Sequence, residues 1–452
     1  MQSNNKHDKW DLIFACFFGL FFTHIILGIE KINPFYTNWL LLPGSDYSYH
    51  YLAWEYFKDT PWSWPLGRIE GYAYPMYNSV MYTDSIPLFA FVFKIFRNYL
   101  PADFQYFGIW YYLCYFLNGY LGILLARQIG YNRICSWLVS IFFFGAVVLV
   151  ARFGHAALCG QWLIVWCLYV YHCRKHWSAT IINVHVFSVV IASSLIHPYL
   201  LFMVLGLCTA ILFQLYIEKV INWRKIVMLL FASIAIAFSG WYISGAFLFK
   251  GHLSEGLGKF SANLNTFFNA WDIGSIGPSF QYIDPGQGEG IGYLGIAVIA
   301  MFLFLFTRKL IFRQINYSLF SASYFFIACF LFFIFSLGPK WALGNNILID
   351  WRYNDYISRT FRGTGRFIWP LYYYILYWTF YQVHTVFKDK KLLMVILIIS
   401  ILIQAFDLKP IWTRNKFVDH TPDPLPYGNE MKSIISKAEK VVVYPPLSLI
   451  HI

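Results

Sequence analysis

Apolar stretches of about twenty residues recur along this chain from Leu12 to Ala405. A helix of that length crosses the roughly 30 Å hydrocarbon core of a bilayer. In lipid every backbone N–H and C=O has to be paired within the protein, which leaves only helices and closed barrels as spanning structures. A barrel would show short alternating segments, and the long unbroken runs exclude it. The 452 residues are 59% hydrophobic and only 12% charged, a balance foreign to soluble domains. The sequence therefore predicts an all-α polytopic membrane protein.

The net charge of +12 would suit a nucleic-acid partner, but no basic block is dense enough to track a phosphate backbone. Cytoplasmic loops of membrane proteins collect Lys and Arg in any case, so nucleic acid is set aside as a partner. Lys6 and Lys9 put the N-terminus inside. No small-residue cleavage site follows the first apolar run, which reads as an uncleaved helix. Spans at about 11–29, 105–126, 134–151, 156–172, 178–196, 198–217, 226–249, 291–307, 317–336, 366–386 and 392–407 then alternate across the bilayer. They place Arg127 and Arg133, Arg174 and Lys175, Lys219, Arg224 and Lys225, Arg308, Lys309 and Arg313, and Lys388, Lys390 and Lys391 on one cytoplasmic side. That agreement predicts eleven spans with the C-terminus outside.

A large first external loop, 30–104, follows the first span. Its segment Ser85–Phe96 is too short to cross and ends in Lys94 and Arg97, as an interfacial helix would. Residues 408–446 read as the start of a truncated extracytoplasmic domain. Leu447–Ile452 match the in-frame translation of a sequencing adapter, and are expected not to be native. The eight cysteines lie in or beside apolar runs, with neither metal spacing nor a disulfide framework.

All the chemically interesting residues fall on the outer side of this topology. In GSDYSYHYLAWEYF, Asp46 and His50 are four apart and share a helical face. Asp46 stands where an N-cap belongs; the alternative is a general base taking a proton from an acceptor hydroxyl. Glu55 follows in the same stretch, and Arg68 and Asp84 stand further along among tyrosines able to stack on sugar rings. Arg362 and Arg366 flank Gly-Thr-Gly just before a span. There the guanidinium fork suits phosphate and a glycine-rich helix start offers free N–H groups; snorkelling to lipid phosphate is the plain alternative. Gln287 and Glu289 precede another span, as helix caps or as pocket residues. His155 and His197 close two outer turns, where a lone histidine is often structural. No HExxH, CxxC or paired-His spacing appears, so no metal site is assigned. A divalent ion is compatible only if folding joins Asp46, Asp84 and Glu289.

GSDYSYHYLAWEYF, SVMYTDSIPLF, FQYFGIW, HAALCGQWLI, IHPYLL, GQGEGIGYLG and GRFIWP are spread over almost the whole chain. Through them the sequence resembles a family of bacterial multi-pass membrane proteins. More distantly it is similar to the GT-C superfamily of glycosyltransferases, which shares architecture more than sequence. The resemblance implies a catalytic Asp or Glu in the first external loop, interfacial helices there, a polyprenyl-phosphate-linked sugar donor, and often a soluble C-terminal domain outside. Asp46 matches the first of these and Ser85–Phe96 the second.

The expectation is a GT-C-like inverting glycosyltransferase of a bacterial inner membrane, acting on a glycan or lipid-linked acceptor. Asp46 is expected as general base, with Arg362 and Arg366 on the donor phosphate. His50, Glu55, Arg68, Asp84, His155, His197, Gln287 and Glu289 are expected to line the sugar or acceptor pocket. A lipid-linked saccharide flippase and a polysaccharide polymerase are the alternatives. The flippase reading calls for charges or helix breaks near mid-membrane, which are nearly absent here.

Overall fold

The computed structural model describes residues 9–42, 45–72, 77–248, 258–312, 323–351, 361–413 and 428–437. Leu447–Ile452, Lys6 and Arg313 lie outside them, as does most of the tail 408–446 apart from 408–413 and the short helix Gly428–Lys437. Among the described residues sixteen α-helices run α1 Lys9–Ile26, α2 Asp46–Asp59, α3 Pro87–Ile95, α4 Phe107–Ile129, α5 Arg133–Phe144, α6 Val147–Val150, α7 Trp162–Cys173, α8 Ala179–Ser194, α9 Pro198–Ile217, α10 Trp223–Ile243, α11 Ile296–Ile311, α12 Tyr324–Ser336, α13 Trp369–Val386, α14 Lys390–Asp407, α15 Lys409–Thr413 and α16 Gly428–Lys437. Several begin on side chains that accept a first-turn N–H: Asn132, Ser178, Asn222, Ser323 and Asp389.

The expectation of eleven spans is corrected. Helices occupy each range read from the sequence, but among the described residues six are long and apolar enough to cross a membrane: Lys9–Ile26, Phe107–Ile129, Arg133–Val150, Ala156–Cys173, Pro198–Ile217 and Trp223–Ile243. α8 and α12 are apolar but only 16 and 13 residues long. At 1.5 Å per residue they reach about 24 and 20 Å. α13 is long enough but carries five tyrosines, Gln382 and His384. The sequence ranges had borrowed apolar residues from the turns that flank the shorter helices.

α4 packs against α1, α5 and α7; α7, α8 and α9 follow; and α9, α12, α13, α11 and α14 lead back to α5, which closes the bundle. The outward faces remain apolar: Phe231, Ile234 and Phe238 of α10 are all exposed. Such a stripe suits hydrocarbon and not water. The lone carboxylate of α1, Asp11, is buried, where it accepts from Trp137 Nε1 at 2.8 Å and pairs with Arg127.

The long inter-helix segments are not shapeless. Strands β1 Arg68–Ile69 and β2 Asn78–Ser79 form one antiparallel pair, and β3 Lys340–Leu343 and β4 Asn346–Asp350 another. Asp407 at the end of α14 anchors the segment before α11. Its carboxylate accepts from the N–H groups of Ile276, Gly277 and Ile296 and from the Tyr293 hydroxyl. An unpaired carboxylate there would be costly, and four donors offset its burial.

Within Ser85–Phe96 the helix α3 covers Pro87–Ile95, and Lys94, expected at a water-facing end, is buried. Its ammonium lies 3.8 Å from the centre of the Phe57 ring and 4.5 Å from that of Trp62, with no hydrogen-bond partner among the described residues. Burial, and then the nearby Arg97, pull its pKa down to about 8. The folded value therefore lies below the unfolded ~10.4. The charged form is strained at low pH, and stability is regained as pH climbs from about 8 to about 10.4, by roughly 3 kcal/mol. The Lys94→Met variant is expected to unfold at a higher temperature than wild type at pH 7 in detergent. That difference should shrink by pH 10; one that stays constant with pH contradicts the buried, depressed lysine.

Candidate functional site

Asp46 opens α2, but not as its cap. Ser45 is the residue before the helix, and Asp46 is the first helical residue. Its carboxylate faces His155, with Oδ2 3.3 Å from Nδ1. One turn on, His50 is buried; its Nδ1 lies 2.8 Å from the Thr83 carbonyl, and Ser85 Oγ donates to the His50 carbonyl. The chain between Thr83 and α3 is held in an unusual shape. Asp84 and Ile86 have φ of 49° and 52°, a region that costs a β-branched residue strain. The Tyr106 hydroxyl donates to the Ser85 carbonyl, and Leu88 N–H to that of Leu195. These bonds hold Asp84 Oδ1 3.2 Å from Nε2 of His197. His197 in turn caps α9, its Nδ1 accepting from Tyr199 N–H.

A second constellation adjoins the first through the Arg152–His155 turn. Arg152 is buried, with Nη1 2.6 Å from Glu289 Oε2 and Nη2 donating to the Gly288 carbonyl. Arg366 Nε donates to the same Glu289 oxygen at 2.8 Å, and its guanidinium lies over the Tyr199 ring. The crossing that brings Glu289 to Arg366 depends on glycines. A Cβ on Gly365 would sit 2.7 Å from Gly290 Cα, and one on Gly290 would sit 2.5 Å from Ala262 Cα. The backbones approach more closely than any side chain allows. Gly365→Ala is expected to cost about 1–3 kcal/mol by overpacking, read as a lower unfolding temperature in detergent. Unchanged unfolding contradicts this account of the crossing.

Charge is balanced tightly here. Burial alone would raise the Glu289 carboxyl, but Arg152 and then Arg366 outweigh it and hold it well below the usual carboxylate range. Burial likewise opposes ionisation of Asp84, and the His197 imidazole, by charge and hydrogen bond, holds it low. Burial, then the Arg366 guanidinium, push the His155 imidazole down to about 4. At neutral pH it is therefore uncharged, with Nδ1 3.3 Å from the Asp46 carboxylate. The ligand-capable atoms of His50, Asp84 and His155 all lie within 4.8 Å of one another.

Asp46, His50, Asp84, His155, His197, Glu289 and Arg366 thus meet at one end of the bundle. The rest do not join them. Glu55 lies nine residues, or about 13 Å, along α2 from Asp46, in an ion pair with Lys58 at 2.7 Å. Arg68 stacks on Tyr77 and pairs with Glu70. Gln287 is buried and occupied: its Nε2 donates to Ser261 Oγ, and its Oε1 accepts from Asn263 and from Ile283 N–H. The Arg362 guanidinium lies over the Phe260 ring, 5.7 Å from its centre. Nor do the glycines before α13 leave a free N–H nest: Gly363 donates to the Tyr199 hydroxyl and Gly365 to the Phe260 carbonyl. Asp46 faces His155, Asp84 faces His197 and Glu289 faces Arg152 and Arg366; among the described residues the group of ligand-capable atoms that lies together is His50, Asp84 and His155, not these three carboxylates.

Arg152 is the residue that sequence reasoning passed over. Its signal was its position, a single arginine closing an apolar run at the outer end of a span, where the charge bias does not call for one. The profile of a domain of unknown function, DUF6311, matches residues 16–409. The chain belongs to the DUF6311 family. Neither curated proteins nor solved structures include a match to it. Every member of the constellation falls within the DUF6311 match, and so do all six long apolar helices except the first residues of α1.

Proposed function

We propose that the chain is a membrane glycosyltransferase that moves a sugar from a polyprenyl-phosphate donor to an extracytoplasmic acceptor with inversion. The observation that carries this reading is the convergence of a half-exposed carboxylate, Asp46, with the paired guanidiniums of Arg152 and Arg366 at one end of an apolar helix bundle. That combination is what displacement of a phosphate leaving group by a hydroxyl requires. The acceptor oxygen attacks the anomeric carbon from the face opposite the phosphate, and its proton passes to Asp46. The bond from the anomeric carbon to the phosphate oxygen breaks, and the departing lipid phosphate takes its charge toward Arg366, with Arg362 at the rim. His155 fixes the Asp46 carboxylate from one side.

The orientation that fits is N-terminus cytoplasmic, in a bacterial inner membrane. Arg127 and Arg133, Arg174 and Lys175, Arg308 and Lys309, and Lys388 and Lys390 all lie at the helix ends opposite the constellation. Such basic ends belong in the cytoplasm, which leaves the constellation outside. A GT-C-like architecture, with α3 lying along the membrane surface, accords with the same placement.

Membranes bearing the chain, given radiolabelled polyprenyl-phosphate sugar, are expected to label a glycan or lipid-linked acceptor. Arg362→Ala should weaken that transfer. Translocation of the lipid-linked saccharide without any transfer would overturn the proposal in favour of a flippase.

A further inference from the structure

We propose that His50, Asp84 and His155 form a zinc-class metal site, with Asp46, Thr83 and His197 as the groups that aim its ligands. Three side chains of suitable type within 4.8 Å of one another would by themselves be weak support. The decisive feature is what each side chain does with its other polar atom.

A metal-binding histidine donates one ring N–H to a carboxylate or a backbone carbonyl, which fixes the tautomer and leaves the second nitrogen bare for the metal. His50 has this arrangement, and His155 turns one ring nitrogen toward a carboxylate in the same sense. His50 Nδ1 is 2.8 Å from the Thr83 carbonyl, an acceptor only, so Nδ1 carries the proton and Nε2 carries the lone pair. That Nε2 is buried in a residue only 6% exposed, and it has no hydrogen-bond partner among the described residues. An imidazole nitrogen in that position costs free energy unless something takes its lone pair. His155 Nδ1 faces Asp46 Oδ2 at 3.3 Å, which likewise frees Nε2. The third ligand is prepared in the same way. His197 accepts from Tyr199 N–H through Nδ1, so its proton is on Nε2. It donates to Asp84 Oδ1 at 3.2 Å, leaving Oδ2 available.

The donor set selects the metal. Two imidazoles and one carboxylate suit Zn²⁺ and its transition-metal neighbours, whereas Mg²⁺ takes oxygen ligands. Three protein ligands leave a fourth position open, as in zinc sites that hold water or substrate. Tetrahedral bonds of about 2.0–2.2 Å need the ligand atoms closer together than they stand here. His155 stands on a turn with its side chain 26% exposed, so metal binding would draw this ligand in toward the other two. The carboxylates of Asp46 and Asp84 face the triad through their histidine partners and offset the charge of a bound cation. The proposal rests on this geometry alone and is independent of sugar transfer.

The test uses the full chain, purified in detergent without a polyhistidine tag, stripped by a chelator and re-equilibrated with Zn²⁺ or Co²⁺. Wild type is expected to hold one Zn²⁺ per chain by elemental analysis and to show the intense visible bands of four-coordinate Co²⁺. His50→Ala and His155→Ala should lose both signals. His155→Ala changes a partly exposed turn, so its unfolding temperature should stay near that of wild type, which separates lost ligation from lost folding. His197→Gln should weaken zinc about 10–100-fold while keeping the Co²⁺ bands at saturation, as a positioning residue does. Wild type without zinc, or a folded His155→Ala that binds as wild type does, overturns the site. So does Mg²⁺ competing with Zn²⁺ on equal terms.

Discussion

Glu289→Ala is expected to destabilise the protein by about 3–5 kcal/mol, the cost of removing one partner from a buried ion pair. Two guanidiniums converge on one Glu289 oxygen, at 2.6 Å from Arg152 and 2.8 Å from Arg366. Their side chains are 5% and 15% exposed, so water cannot replace the lost carboxylate. Glu289→Gln keeps the shape and removes the charge, and should cost nearly as much. The double variant Glu289→Ala with Arg366→Met should cost less than the sum of its parts, because the second change removes a charge that the first left stranded. Thermal and denaturant unfolding in detergent measure all three. A glutamine variant as stable as wild type would mean that this cluster behaves like a surface pair, worth about 1 kcal/mol or less.

Asp46→Asn carries the second large effect, on activity and not on folding. The Asp46 side chain is 36% exposed, and its carboxylate stands 3.3 Å from the uncharged His155 ring. The amide can still accept from His155 Nδ1–H, so the unfolding temperature should hardly move. As general base, the carboxylate is worth about 10²–10⁴ in rate, and transfer from the labelled lipid-phosphate sugar should fall by that factor. The assay belongs at saturating zinc, so that weakened aiming of His155 is not mistaken for loss of the base. Undiminished transfer by Asp46→Asn removes the general-base role and leaves the carboxylate as a positioning group for His155.

How far each residue was legible depended on the range of the forces acting on it. The helices at every expected range were legible because a helix pairs its own backbone within one segment, so local hydropathy and caps such as Asn132 and Asn222 suffice. Spanning length was less legible. Residues of a turn read like residues of a span when both are apolar, which is why eleven spans became six long apolar helices. Glu55 and Arg68 looked equivalent to Asp46 and Asp84 as polar residues in one loop. In the structure Lys58 and Glu70 engage them nearby, while Asp46 and Asp84 point toward distant helices.

From its sequence alone the chain is an apolar helical protein whose polar, ionisable residues gather at one set of helix ends, because burying apolar surface and pairing backbone groups are local demands. Tertiary structure alone decided the pairings. Arg152 meets Glu289 across 137 positions and Asp84 meets His197 across 113, through a glycine crossing at Gly290 and Gly365 and a strained turn at Asp84. Contacts of that range follow from how whole helices pack, and no sequence window holds both partners. Asp46 shows the division most clearly: its position at a helix start was readable, and its engagement with His155, not with the helix N–H groups, was settled by packing.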